Sequence, residues 1–358
     1  MSQHDTESTI TERSQQAAPQ GREASSKPTL WQTHRMTILI WALVIVAAII
    51  WYALSPWKST SILRFAWTLS IPLVLGALTG LICERSGVVN IGIEGQLLTG
   101  AFAGFFTASA TGSLWAGVIA GILAGGLMGA FLALVTVVWR MDQIIAGVVV
   151  NIIATGITSF FYTQGHTLPQ QMPHFEIPLL SKIPLIGPVF FTGGPIALLT
   201  PLLVLAVSLA LFNTRWGLRT RACGEYPSAA DTAGINVNRI RFWNTTLAGL
   251  FAGAAGVFIA MEQTSSFERG MSAGKGFLAL AIMIFGAWYP GRAMAAALFF
   301  GLASSAASQL QADQVISIPQ QWVNMLPYVL TLIVLAVAAG RMRPPAAEGK
   351  PFVKGEGS

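Results

Sequence analysis

Residues 113–139 read SLWAGVIAGILAGGLMGAFLALVTVVW, twenty-seven residues without one charge. Twenty apolar residues in a helix cross about 30 Å of hydrocarbon, so this stretch is long enough to span a bilayer. Gly117, Gly121, Gly125 and Gly129 recur every four residues, about one helical turn, and fall on one face. Glycines there let helix backbones approach closely, which matters where lipid supplies no hydrophobic drive for association. Gly76 with Gly80, and Gly249 with Gly253, repeat the spacing, and close packing within the chain is the expected use.

The whole chain follows the same pattern. Of its 358 residues, 53% are hydrophobic and 10% are charged. A soluble domain of that composition would expose large apolar patches. Disorder is excluded for most of the length by the apolar content, and two cysteines exclude a disulfide scaffold. The net charge of +6 does not indicate nucleic acid, because the arginines sit between apolar runs rather than among clustered aromatics. The expected fold is all-α, a polytopic membrane protein.

Ten spans are expected, at 36–54, 64–82, 87–110, 113–139, 143–163, 196–213, 242–262, 276–290, 293–311 and 321–340. The pair 276–311 reads as a tight helical hairpin short of two full crossings. Residues 1–35 are a polar tail with no secretory signal, 36–340 the transmembrane domain, and 341–358 a second tail. Ten spans put both termini on one side. Placing them in the cytoplasm leaves five basic residues outside (Lys58, Arg64, Lys182, Arg269 and Lys275) and the other sixteen of 21 inside, which the positive-inside rule favours. The proline-rich loop 164–195 then faces outward, and its His166 and His174 are too few for a metal site. Cys83 and Cys223 fall on the reducing side and lack a catalytic partner.

Two stretches interrupt the apolar pattern in similar ways: CERSGVVNIGIEG at 83–95 and FERGMSAGKG at 267–276. Each has a Glu-Arg pair, then glycines, then an apolar helix, as an inverted repeat of spans two to five and seven to ten would produce. In the first, Asn90 and Glu94 are polar groups at membrane depth. Such groups need partners or a water-filled path, and irregular backbone there must line protein or a cavity. The expectation is a broken helix beside the translocation path, with Asn151 and Gln143 as further candidates. An interfacial cap with Glu94 near Arg85 is the other reading.

On the inner side, residues 214–241 read TRWGLRTRACGEYPSAADTAGINVNRIR. Helix formers run from Ser228 to Ala233, and Gly234 closes them as a C-cap would. A basic loop holding a capped helix is a place for something to dock. The chain carries no P-loop. The nearest approach, GMSAGKG at 270–276, is one residue short and ends on glycine. No HExxH, GxSxG or CxxC occurs, so no enzyme is expected.

The segment Ser228–Gly234 resembles the EAA-x-x-x-G coupling motif of ABC importer permeases, with Ser228 in the place of glutamate. With CERSGVVNIGIEGQLLTGAFAG and GKGFLALAIMIFGAWYPGRA, the loop resembles the permease superfamily for ribose, other simple sugars and branched-chain amino acids. ERSGVVNIGIEG is most similar to its nucleoside and simple-sugar branch, and the likeness covers about residues 64–340. The resemblance implies a multi-pass permease of the bacterial cytoplasmic membrane. It implies that Glu225, Ser228, Ala229, Ala230, Asp231 and Gly234 couple to a separate ABC ATPase subunit, Glu225 standing in for the motif's glutamate. It implies a second permease subunit (a paralogue or a copy), an extracytoplasmic substrate-binding protein, and a pathway near Asn90, Glu94 and Asn151. ATP and magnesium would belong to the partner subunits, with no cofactor in this chain. The competing class is an ion-coupled secondary transporter with Glu94 as its coupling carboxylate.

Overall fold

The computed structural model describes residues 56–162, 168, 170–312 and 343–355, together with 319, 321, 322, 325, 328, 329 and 332. The expected tail 1–35, the expected span 36–54, His166 and most of 321–340 lie outside the described residues.

The fold is helical. Helix α1 spans Pro56–Arg85, α2 Ile93–Thr111, α3 Leu114–Ala133 and α4 Gln143–Phe160. After a loop come α5 Ile186–Phe190 and α6 Pro195–Asn213, then α7 Arg215–Glu225, α8 Pro227–Thr232 and α9 Val237–Val257. Helices α10 Lys275–Phe285 and α11 Pro290–Ala312 follow. Wider π turns extend α3 through Val138 and α9 through Gln263. Five helices among the described residues are long and apolar enough to cross a membrane: 58–85, 114–138, 143–160, 195–213 and 237–263. The hairpin expected at 276–311 is uneven, an 11-residue α10 followed by a 23-residue α11.

Two departures from the helical expectation are local. A two-residue hairpin pairs β1 Phe175–Glu176 with β2 Thr192–Gly193 in the loop after α4. The basic loop 214–241 contains the helix α7, and α9 begins five residues before the expected span. Side-chain caps cause both: Thr214 accepts from the Gly217 N–H, and Asn236 from the Arg239 N–H. Ser113 and Asp142 cap α3 and α4 in the same way.

Helix α3 shows what drives packing. It buries Gly117, Gly121, Gly125, Gly126 and Gly129, while Ile119, Leu123 and Leu127 point outward, Leu127 71% exposed. Small residues inside and large aliphatic residues outside invert the soluble pattern and suit a lipid surround. The buried glycines meet α9 and α2. Gly125 faces Gly253 and Gly249, Gly129 faces Thr245, and Gly117 and Gly121 face Gly104 and Gly100. The order of these contacts makes α3 antiparallel to α9. Gly100 meets Gly253 and Gly104 meets Val257, so α2 and α9 run parallel; Gly76 meets Ala279 and Gly80 meets Met283, so α1 and α10 do too.

Candidate functional site

Helix α1 stops at Arg85, and seven irregular residues follow before α2 begins. Gly87 takes a left-handed φ of +91° at the turn, which glycine alone adopts without strain. Side chains from α4 hold this break in place. Gln143 Oε1 accepts from the Val89 N–H at 2.6 Å. Asn151 Oδ1 accepts from the Gly95 N–H at 2.8 Å, and its Nδ2 donates to the Ile91 carbonyl at 3.0 Å. Gly92, Gly95 and Gly147 let α4 come near enough for these bonds.

Asn90 is wholly buried. Its Nδ2 donates to Gln96 Oε1 at 3.2 Å and reaches the Cys83 sulfur at 3.5 Å. Asn90 Oδ1 and Gln96 Nε2 have no protein partner. Glu94, partly buried, accepts from the Gly274 N–H at 2.7 Å and the Gly276 N–H at 2.6 Å. Those donors open α10, where a carboxylate meets the positive end of the helix dipole. The stretch GMSAGKG, read above as a near-miss of a P-loop, therefore turns its backbone donors onto a carboxylate of the same chain. Tyr328 Oη donates to the Ala273 carbonyl at 2.6 Å, beside the same turn.

Glu262 was not singled out from sequence. It sits on the π turn that ends α9, and its oxygens accept from the Ile196 and Ala197 N–H groups at 2.7 and 3.3 Å. Helix α6 has no side-chain cap of its own. The signal was an acid ending an apolar span together with the uncapped start Gly193-Gly194-Pro195.

The second cluster lies at the α7–α8 elbow. Helix α8 covers Pro227–Thr232, and Gly234 beyond it has φ +82°. Its N–H donates to the Asp231 carbonyl. Ala230 is buried against Cys223 and Val237, and burial pushes the Cys223 thiol up to about 11. Tyr226 is 70% exposed at the bend. Glu225, Ser228, Ala229, Ala230, Asp231 and Gly234 thus share one short elbow, whereas Asn90, Glu94 and Asn151 gather around the break.

Arg241, on α9, connects the two clusters and was not expected to. It is 2% exposed. Nε donates to the Ser86 carbonyl at 3.0 Å, Nη2 to the Cys223 carbonyl at 3.2 Å, and Nη1 to the Lys350 carbonyl at 2.7 Å. Nearby, Phe212 and Tyr289 stack at 4.8 Å, with Arg221 over the first ring and Arg292 over the second. Arg85 lies against both rings and donates to the Trp288 carbonyl.

Glycine-lined helices with lipid-facing aliphatic residues, an interrupted helix held by polar side chains, and a helical elbow joined to it together define a multi-pass membrane protein of the transport class. The chain belongs to the family of branched-chain amino acid transport system permease components, whose model matches residues 62–335. It is 39% identical to the nucleoside ABC transporter permease NupC of Lactococcus lactis, over 80% of this chain and 94% of that protein. It is 38% identical to the guanosine ABC transporter permease NupQ of Bacillus subtilis, with the same coverage. No solved structure matches.

Proposed function

We propose that this chain is the membrane pathway subunit of an ATP-driven importer of nucleosides, with simple sugars as the alternative cargo. The observation that carries the reading is the 38–39% identity to two nucleoside-type permeases across nearly their full length. In this reading α8 and its flanks receive the ATPase subunit, and a second permease completes the pathway. A substrate-binding protein delivers solute from outside, and the chain resides in the bacterial cytoplasmic membrane. Arg85, Arg221 and Arg292 gather at one end, which supports assigning that end to the cytoplasm. The parallel pairs α1 with α10 and α2 with α9 support an inverted repeat, within a ten-span arrangement with both termini inside. Asn90, Glu94 and Asn151 border the pathway where the two interrupted regions meet.

Glu94 is a poor coupling carboxylate for a secondary transporter, because both its oxygens already hold backbone donors. The decisive measurement is nucleoside uptake by the assembled transporter in proteoliposomes. Uptake stops when the partner ATPase carries a hydrolysis-deficient substitution; uptake driven by a proton or sodium gradient without that subunit would refute the proposal.

Gly234→Val tests the elbow. No atom lies within 4 Å of the added Cβ, so the effect is conformational: a β-branched residue at positive φ costs about 1–2 kcal/mol. Uptake is expected to fall about tenfold with the chain still folded. Retained ATPase capture together with full uptake would remove the elbow from the docking surface.

A further inference from the structure

Residues 343–355, RPPAAEGKPFVKG, follow the last expected span and read at first as a plain tail. They are instead fastened at both of the clusters described above. At the elbow, the Ala347 N–H donates to the Gly224 carbonyl at 2.9 Å and the Ala346 N–H to Glu225 Oε2 at 3.2 Å. Phe352 packs on the Cys223, Ala230 and Val237 cluster. Lys354 approaches Asp231 at 4.0 Å, an exposed pair of small worth. At the break, the Ala347 carbonyl lies 3.3 Å from where a Cβ on Gly87 would sit, and Gly349 faces Val89. The carboxyl of Glu348 meets that of Glu84, which accepts from Trp288 Nε1 at 2.6 Å. Arg241 holds all three elements at once through its bonds to Ser86, Cys223 and Lys350.

We propose that residues 343–355 form a strap that ties the α7–α8 elbow to the break between α1 and α2, so that displacement of the elbow is passed to the break. Phe352 and Glu348 act in this as positioning residues, one seated at each end. The proposal rests on the elbow being the ATPase contact. The physical case is one of rigidity. Without the strap, the elbow reaches the break through Arg241 and through Gly224, packed on Arg85. With it, two further hydrogen bonds and an apolar anchor hold the strap to the elbow while Ala347 and Gly349 pack on Gly87 and Val89 of the break, and a prolyl-rich chain with a glycine turn (Gly349 at φ +76°) has few alternative shapes.

The strap is also proton-sensitive. Burial pushes Glu348 up from 4.5 to about 7. The titratable group that faces it is Glu84 on α1; Glu225 on α7 and Arg241 on α9 bond the strap backbone on either side, at Ala346 and Lys350. The docked strap binds a proton that the free strap releases near pH 4.5. Docking is therefore strongest in acid, weakens as pH rises through that window to about 7, and is level above it.

The test uses the assembled transporter, ATPase subunit included. Phe352→Ala, Phe352→Asp and a chain ending at Pro344 are compared with the unaltered protein. ATPase capture and hydrolysis are expected to persist while uptake falls, so that ATP consumed per nucleoside moved rises about tenfold. An unchanged ratio in all three overturns the strap. If Gly234→Val loses ATPase capture or uptake while the strap variants leave the ratio unchanged, the strap alone fails; if Gly234→Val is silent, the elbow reading fails and the coupling role of the strap with it. Amide exchange on the unaltered transporter covers the case of a truncated chain that does not fold. Ala346 and Ala347 should be protected, and their protection factors should drop about tenfold from pH 6 to pH 8. Glu348→Gln should lessen that dependence, leaving the part carried by its partner Glu84. Exchange at the solvent-limited rate at every pH overturns the proposal as firmly as an unchanged coupling ratio.

Discussion

Gly253→Val is expected to prevent accumulation of folded protein. The position lies where α9 crosses α3 and passes α2. A Cβ there would sit 2.6 Å from the Gly121 carbonyl oxygen and 2.8 Å from that of Ile122. Both are backbone atoms of a helix, so no side chain can swing aside. Overpacking a core costs about 1–3 kcal/mol where side chains can yield; here whole helices must separate, and the loss exceeds that range. Gly121 and Gly125, facing Gly253 from α3, should behave alike. Gly156 on α4 has nothing within 4 Å of its Cβ position, so Gly156→Ala should be neutral or gain about 0.5–1 kcal/mol. Expression level and thermal denaturation of purified protein in detergent check both. Normal folding of Gly253→Val would mean that the three-helix seam is not tight.

Arg241→Met is the second large effect. The methionine fills similar volume but leaves the carbonyls of Ser86, Cys223 and Lys350 without their donor. Each stranded buried acceptor costs about 1–3 kcal/mol. The melting temperature should fall by about 10 °C, and the strap should lose protection in amide exchange. Arg241→Lys keeps the charge but offers a single ammonium in place of a fork, and should recover only part of the loss. A melting temperature within a degree of the unaltered protein would show that these carbonyls find other partners.

The membrane fold could be read from residue order because its causes are local. An uncharged run such as 113–139 has one way to satisfy its backbone in lipid, and its glycine spacing already says which face meets a neighbour. The irregular approach to α2 was equally visible, since VVNIGIEG places polar groups and glycines where a helix would otherwise continue. What escaped was whatever depends on a distant partner. Nothing near Glu94 says that its carboxylate caps a helix that starts 180 residues later. Arg241 looked like one more basic residue for topology, yet it is among the most buried side chains in the molecule. The start of α9 was missed because Asn238, Arg239 and Arg241 have loop-like polarity, while the cap at Asn236 overrides it. The strap was read as a tail because its anchors lie on α1, α7 and α9, far away in sequence.

The Glu262 anchor has a mechanical consequence. It grips the first turn of α6, and that helix runs 19 residues, about 28 Å, to Asn213, with the extended residue Thr214 alone before α7 starts. One rod thus joins a glutamate at one end to the α7–α8 elbow at the other, the bend proposed above to receive the ATPase subunit. On that proposal, a tilt imposed on the bend would reach the Glu262 end through one helix and a single residue, Thr214.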